Sequence, residues 1–359
     1  MSFSTSNQPG FFIPDLWAHC PYPVLYQKNG DEVGATSEKW VQDSCRVITP
    51  LLRQTITRLG APQLAAYCYN QCSDERFRLV CDFMITLFLL DDLSDDLATQ
   101  DSEIFSDIVM NALHFPESYR PTQSKGKEQP ILELDCSKLT RDYWLRMSTG
   151  TTPAVQARIV EDVEQYLIAV HLQAQYRDSG DIPSLEEYIE HRRMSSGCKP
   201  LFHIIEYSLN IEIPEEVLTH PLMVTMKNCV NDFVAFSNDI FSYNVEQARG
   251  DEHNMITVMM KKYNLDLQSA VNRVGDLCID AIKTYQKARA DFPSFGPTVD
   301  RDLESFFHGL QSWMSGSIEW SFVTPRYLGP NRHEIREHKW VTLMKPKTYQ
   351  TSIIRPNAA

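Results

Sequence analysis

Apolar residues recur along most of this chain at the spacing of helix faces. Nowhere does it show the strand-length alternation or the strand-helix-strand rhythm that builds a sheet. Such a pattern dictates an all-α fold. Helices are expected over 38–58, 62–72, 74–96, 101–113, 133–149, 153–178, 184–208, 221–249, 253–263, 266–291 and 299–323. Pro9, Pro14, Pro21, Pro23, Gly30 and Gly34 make residues 1–37 an irregular strap, residues 116–130 read as a surface loop, and 331–359 as a polar tail. Nothing repeats at a fixed period, so residues 38–330 form one helical domain. A bundle of this kind places its ligand site in the core between facing helices.

The 359 residues, 43% of them hydrophobic, are enough to bury a sizeable core. With 34 basic and 47 acidic residues the net charge is −13, which argues against a nucleic-acid partner. An anionic substrate would need a local reversal of that field. The nine cysteines carry neither CxxC nor Cys/His metal spacing, which fits a reducing, cytoplasmic setting. MSFSTSNQPG lacks the basic and apolar regions of a signal peptide, and no apolar run reaches membrane-spanning length, so a soluble protein without stable membrane insertion is expected.

The segment FMITLFLLDDLSDD, residues 83–96, is an apolar helical run ending in Asp91, Asp92, Asp95 and Asp96. Asp91 and Asp95 share one helix face, and Asp92 and Asp96 form a second pair about 100° away. Either pair suits a divalent metal. Carboxylates at a helix C-terminus are disfavoured by the macrodipole, by up to about 1 kcal/mol each, and they repel one another. The cluster therefore asks for a cation. Hard oxygen ligands without Cys or His point to Mg²⁺, which is commonly shared with substrate phosphates.

A second group lies in VNDFVAFSNDIFSYNVEQ, residues 230–247, where Asn238, Ser242 and Glu246 recur every four positions. They drift through about 80° over about 12 Å, one narrow stripe on which an amide oxygen, a hydroxyl and a carboxylate can meet a hard cation. Phe233, Val234, Phe236, Ile240 and Phe241 surround the stripe, which makes a solvent-facing role strained. Asp239 competes in register, but only Asn238 keeps the four-residue spacing to Ser242.

Together, DDLSD at 91–95 and NDIFSYNVE at 238–246 resemble the aspartate-rich and NSE motifs of microbial class I terpene synthases, particularly fungal sesquiterpene synthases of basidiomycete type. Arg193, 45 positions before Asn238, is similar in placement to the family's diphosphate-sensing arginine, with Ser196 and Gly197 at the offsets of its linker and effector residues. Arg326 and Tyr327 resemble the family's RY pair. One departure is Val245, where the family often has Lys; Arg249 or Lys261 is a candidate substitute.

The resemblance implies a single class I terpene synthase-like helical bundle acting on a prenyl diphosphate, with farnesyl diphosphate the expected substrate. It implies three Mg²⁺ ions, Asp91 and Asp95 serving one part of the cluster and Asn238, Ser242 and Glu246 the other. Arg193, Arg326 and Tyr327 would donate to diphosphate. Phe88, one helical turn before Asp91, and Trp320, six residues before Arg326, would face a carbocation. At the SSGC break, 195–198, the Gly197 carbonyl would point into the pocket. A cyclic hydrocarbon or an alcohol is the expected product, from a monomer or homodimer. A chain-elongating prenyltransferase shares the architecture but typically carries a second aspartate-rich motif where this chain has Asn238-Asp239. A non-catalytic helical binding protein is the alternative of a different class.

Overall fold

The computed structural model describes residues 8–45, 56–58, 60–94, 99–118, 123–124, 127–128 and 133–346. Fifteen helices of the described residues are labelled here in chain order. The first six are α1 (Gly30–Ser44), α2 (Ala61–Cys68), α3 (Asp74–Ser94), α4 (Thr99–His114), α5 (Asp135–Ser148) and α6 (Pro153–Ser179). The next five are α7 (Leu185–Ser195), α8 (Cys198–Leu209), α9 (Glu215–Leu218), α10 (Pro221–Arg249) and α11 (Met255–Tyr263). The last four are α12 (Leu267–Ala290), α13 (Pro297–Val323), α14 (Pro325–Leu328) and α15 (Arg332–His338). The all-α expectation holds, and no described helix is long and apolar enough to cross a membrane.

Local chemistry explains where the central helices begin and end. α10 starts with Pro221 in its first turn, which sacrifices no helical bond, and stops at Gly250 in the left-handed region at φ 82°. Its buried residues include Met226, Val230, Phe233, Ile240 and Phe241, and it packs along α12 and against α13. α7 opens with a capping box in which Ser184 and Glu187 satisfy each other's backbone N–H groups. The run expected over 184–208 is two helices: Gly197, at φ 71°, breaks it between α7 and α8. Trp313, Tyr188, Tyr285 and Phe233 are among the fully buried large side chains of the core.

The two chain ends differ from expectation. The strap over 1–37 already turns helical at Gly30, where Asp31 and Glu32 complement the dipole at the start of α1. The tail is not simply polar: after α15, strand β4 (Trp340–Thr342) pairs antiparallel with β1 (Gly10–Phe12), Phe11 opposite Val341. Both of those side chains are buried, at 1% and 2% exposure. A three-residue alternation is too short to stand out in a sequence. A second ladder, β2 (Gln123–Ser124) with β3 (Lys127–Glu128), lies in the expected surface loop.

Candidate active site

A cavity of about 1440 Å³ opens among α3, α7, α8, α10 and α13, with α14 and the segment after α15 forming part of its wall. Asp91 and Asp92 line it from the C-terminal end of α3; Asn238, Ser242 and Glu246 line it from α10. One turn back along the same helices stand Leu87 and Phe88 on α3 and Val234 and Ala235 on α10. The polar groups therefore form a mouth and the apolar ones an interior. Trp313 and Trp320 complete the apolar wall from α13.

Despite the acidic chain, Arg58, Arg192, Arg249, Arg326 and Arg332 all line this cavity. Asp91, Asp92, Glu246, Asp251 and Glu334 line it too, so the arginines offset the carboxylates and leave the wall near neutral in a chain of net charge −13; positive charge for an anionic substrate would come with bound cations. Arg326 pairs with Asp92 at 3.1 Å and lies 5.5 Å over the Phe88 ring. Tyr327, beside it, accepts from the Asn238 amide at 2.7 Å. Phe88 and Trp320 meet edge to face at 6.0 Å, and Trp320 donates its indole N–H to the Gly60 carbonyl at 2.9 Å, which fixes the ring.

The two adjacent arginines of α7 separate sharply. Arg193 makes a bidentate pair with Asp232, both bonds 2.7 Å, and does not reach the cavity wall. Arg192 does: it donates to Asn238 Oδ1 at 2.9 Å and to Asp239 at 3.1 Å. Asp239 is turned away from the cavity, held by the Tyr188 hydroxyl at 2.7 Å and the Met255 N–H at 3.1 Å. Asn238 alone therefore continues the cavity stripe, as its spacing predicts. Of the pair it is Arg192, not the expected Arg193, that lines the cavity. The signal was present, because Arg192 follows Tyr188 by four and precedes Ser195 by three, the spacing of a buried helix face.

Asp91 accepts from the Tyr166 hydroxyl at 3.0 Å, and Glu246 from the Asn254 amide at 2.8 Å. Burial raises both carboxyl pKa values; the Asp92 charge adds to the effect at Asp91, and Asp239 and Asp251 carry Glu246 to about 7. Ser242 Oγ is buried one turn from Glu246, whose carboxylate its hydroxyl favours, but makes no hydrogen bond of ordinary geometry. Buried carboxylates, an amide oxygen and a hydroxyl, all hard oxygen donors, fit divalent cations. Among the described residues no group of three or more His, Cys, Asp or Glu converges. Asp95 and Asp96 lie outside the described residues. Of the two substitutes for the missing Lys at 245, Arg249 lines the cavity, whereas Lys261 is paired with Glu252 at 2.5 Å.

Residues 82–284 match the family model described as terpene synthase family 2, C-terminal metal binding. Over 95% of its length the chain is 44% identical to the sesquiterpene synthase Agr3 of Cyclocybe aegerita, covering 96% of that protein. The chain belongs to the terpene synthase family. It is also 44% identical to the alpha-muurolene synthase of Coprinopsis cinerea, over 96% of this chain and 80% of that one. In fold, this terpene synthase is similar to the crystal structure of a-eudesmol synthase, with a TM-score of 0.73 at 20% identity over 85% of this chain and 98% of that one. The matched family segment contains both donor groups, Asp91 on α3 and Asn238, Ser242 and Glu246 on α10, whereas Arg326 and Tyr327 reach the same cavity from beyond it.

Proposed function

We propose that this terpene synthase ionises farnesyl diphosphate with Mg²⁺, releases diphosphate and forms a sesquiterpene, either a cyclic hydrocarbon or an alcohol. One observation carries the proposal: two oxygen-donor walls and a set of arginines line one cavity together with the apolar Leu87, Phe88, Val234 and Trp320. The relatives named as sesquiterpene synthases support the C15 chain length. Asp239 gives further support, since its engagement with Tyr188 and Arg192 means that α10 presents Asn238 and not an Asn238-Asp239 pair to the cavity, where a chain-elongating enzyme typically carries aspartates.

Asp91, with Asp95 as an expected helper, would hold metal from α3, and Asn238, Ser242 and Glu246 would hold it from α10; we adopt three ions as the working count. Bound Mg²⁺ supplies positive charge that stabilises the diphosphate leaving group. Arg192, rather than Arg193, is the sensor in this proposal. In the structure its guanidinium occupies Asn238 Oδ1, the oxygen that Asn238 would offer to a cation. Substrate binding therefore frees Arg192 from Asn238 and turns it toward the diphosphate, while Asp239 keeps hold of its Nε. Tyr327, bonded to the other end of the same amide, is released in the same event. Arg326 donates to diphosphate from the opposite wall.

Phe88 and Trp320 line the cavity, meeting edge to face, and their rings are the proposed stabilisers of a carbocation, to which they offer no nucleophile. Gly197, at the α7/α8 break, joins Arg192 to the cavity interior, and its backbone carbonyl is the proposed dipole acting on the cation. The test is incubation of purified protein with Mg²⁺ and geranyl, farnesyl or geranylgeranyl diphosphate in separate reactions, with volatile products identified by mass spectrometry. Sesquiterpene formation from the C15 substrate is expected, and Glu246→Ala is expected to abolish it. Retained activity in that variant would refute the metal assignment.

A further inference from the structure

One side of the cavity is closed by a thin piece of structure. Trp340, Val341, Thr342 and Met344 line it from β4 and the residues that follow. This segment pairs only with β1 through a three-residue ladder, which is marginal by itself in water. Two side chains of α10 reinforce it. The buried Asn244 amide donates to the Thr342 carbonyl at 3.0 Å and accepts from the Met344 N–H at 2.7 Å. One turn on, Gln247 donates to the Met344 carbonyl at 3.0 Å.

The outer edge is pinned as well. On α12, Gln268 accepts from the Phe12 N–H at 2.7 Å and donates to the Phe12 carbonyl at 3.1 Å. Leu343 N–H reaches the Pro9 carbonyl and Ile13 N–H the Lys339 carbonyl, each at 2.9 Å. Phe11 packs edge to face on Tyr243 at 5.9 Å, next to Asn244 in the chain. A Cβ at Gly10 would come within 2.4 Å of the Val341 carbonyl, so the two strands touch backbone to backbone there. Residues 9–13 and 339–344 are thereby fastened to each other and to the helix that carries Asn238, Ser242 and Glu246.

We propose that Asn244 is a positioning residue for product specificity: by clamping residues 340–344 onto α10, it keeps this side of the cavity closed to water while a carbocation is present. The inference rests on the carbocation chemistry proposed above. A cation in a dry cavity cyclises or rearranges into further cations until it loses a proton, giving a hydrocarbon, whereas admitted water adds through its oxygen and then sheds a proton, giving an alcohol. Gln247 supports the same clamp from one turn further along.

Two readouts on Asn244→Leu and Gln247→Leu test this, with Asn244→Asp as a partial variant that keeps the bond to Met344 and loses the one to Thr342. Hydrogen exchange of peptides covering 340–344 needs no turnover. It should quicken about fivefold in Gln247→Leu, which loses one bond to the segment, and about 25-fold in Asn244→Leu, which loses two. Turnover of farnesyl diphosphate in ¹⁸O-water should then give ¹⁸O-labelled alcohols that are minor or absent in the wild-type profile, at about threefold or more their wild-type share, Asn244→Asp falling between. Faster exchange with an unchanged labelled share would overturn the specificity role. Unchanged exchange in both Leu variants would overturn the clamp. A wild-type protein that releases no diphosphate would overturn the underlying chemistry, and the exchange data separate that failure from a failure of the clamp.

Discussion

Arg192 and Arg193 are neighbours in the chain, yet about 100° of helix rotation gives them different partners. Arg192→Lys is expected to lower kcat about 100-fold, because a fork-shaped donor to a developing diphosphate charge is lost. Arg193→Gln should instead cost about 1–2 kcal/mol of stability through the Asp232 pair, with a far smaller change in kcat. Steady-state kinetics and thermal melts on both variants separate the two roles, and equal kinetic losses would contradict the assignment. Spacing alone put Asn238, Ser242 and Glu246 on one helix stripe, and all three line the cavity; it left open which aspartates of 91–96 face it. It did not separate two consecutive arginines, whose difference lies in what Asp232 and Asp239 present from α10.

A second residue-scale expectation concerns pH. His253 is buried beside His191, 5.1 Å between ring centroids, with Tyr188 and Arg192 facing it from α7 and Arg177 from α6. Burial and these cations hold its pKa well below 6.5. The folded state keeps the ring neutral while the unfolded chain takes up a proton below that value, so this contribution is present above pH 6.5 and lost as the pH falls beneath it. His253→Phe should therefore lose less melting temperature than wild type between pH 6.5 and about pH 5. Parallel melting curves across that interval would contradict it.

Among the elements, the α7/α8 junction shows most clearly what a local signal can deliver. Gly197 sits at φ 71° with Leu87 packed 3.4 Å from where a Cβ would stand. Gly197→Ala is expected to destabilise by about 1 kcal/mol, read from chemical denaturation. It should also disturb product distribution more than substrate affinity, since the residue joins Arg192 to the cavity interior. Ser195, Ser196 and Gly197 announce the break in the sequence, but the continuous apolar pattern on either side suggests one helix. Asn231 decides the geometry: it accepts from the Ser196 hydroxyl and donates to the Arg193 carbonyl, each at 2.7 Å, so α10 holds the broken turn in place. Contacts of that kind join residues far apart in the chain and leave no periodic trace.

At the scale of the whole molecule, a chain of net charge −13 collects five arginines around one cavity and sets two carboxylate-bearing walls against them. The all-α bundle was legible because every long helix carries its own period. The clasp between residues 10–12 and 340–342 was not, since each strand is too short to declare itself and their pairing depends on helices that lie between them in sequence. The central claim is that the cavity mouth is built to assemble around metal and diphosphate together. The most direct measurement is diphosphate release from farnesyl diphosphate by the purified protein, with Mg²⁺ and again after chelation. Release that accompanies a C15 product and ceases on chelation is the predicted result. No release from C10, C15 or C20 substrates, or release indifferent to chelation, would contradict the account.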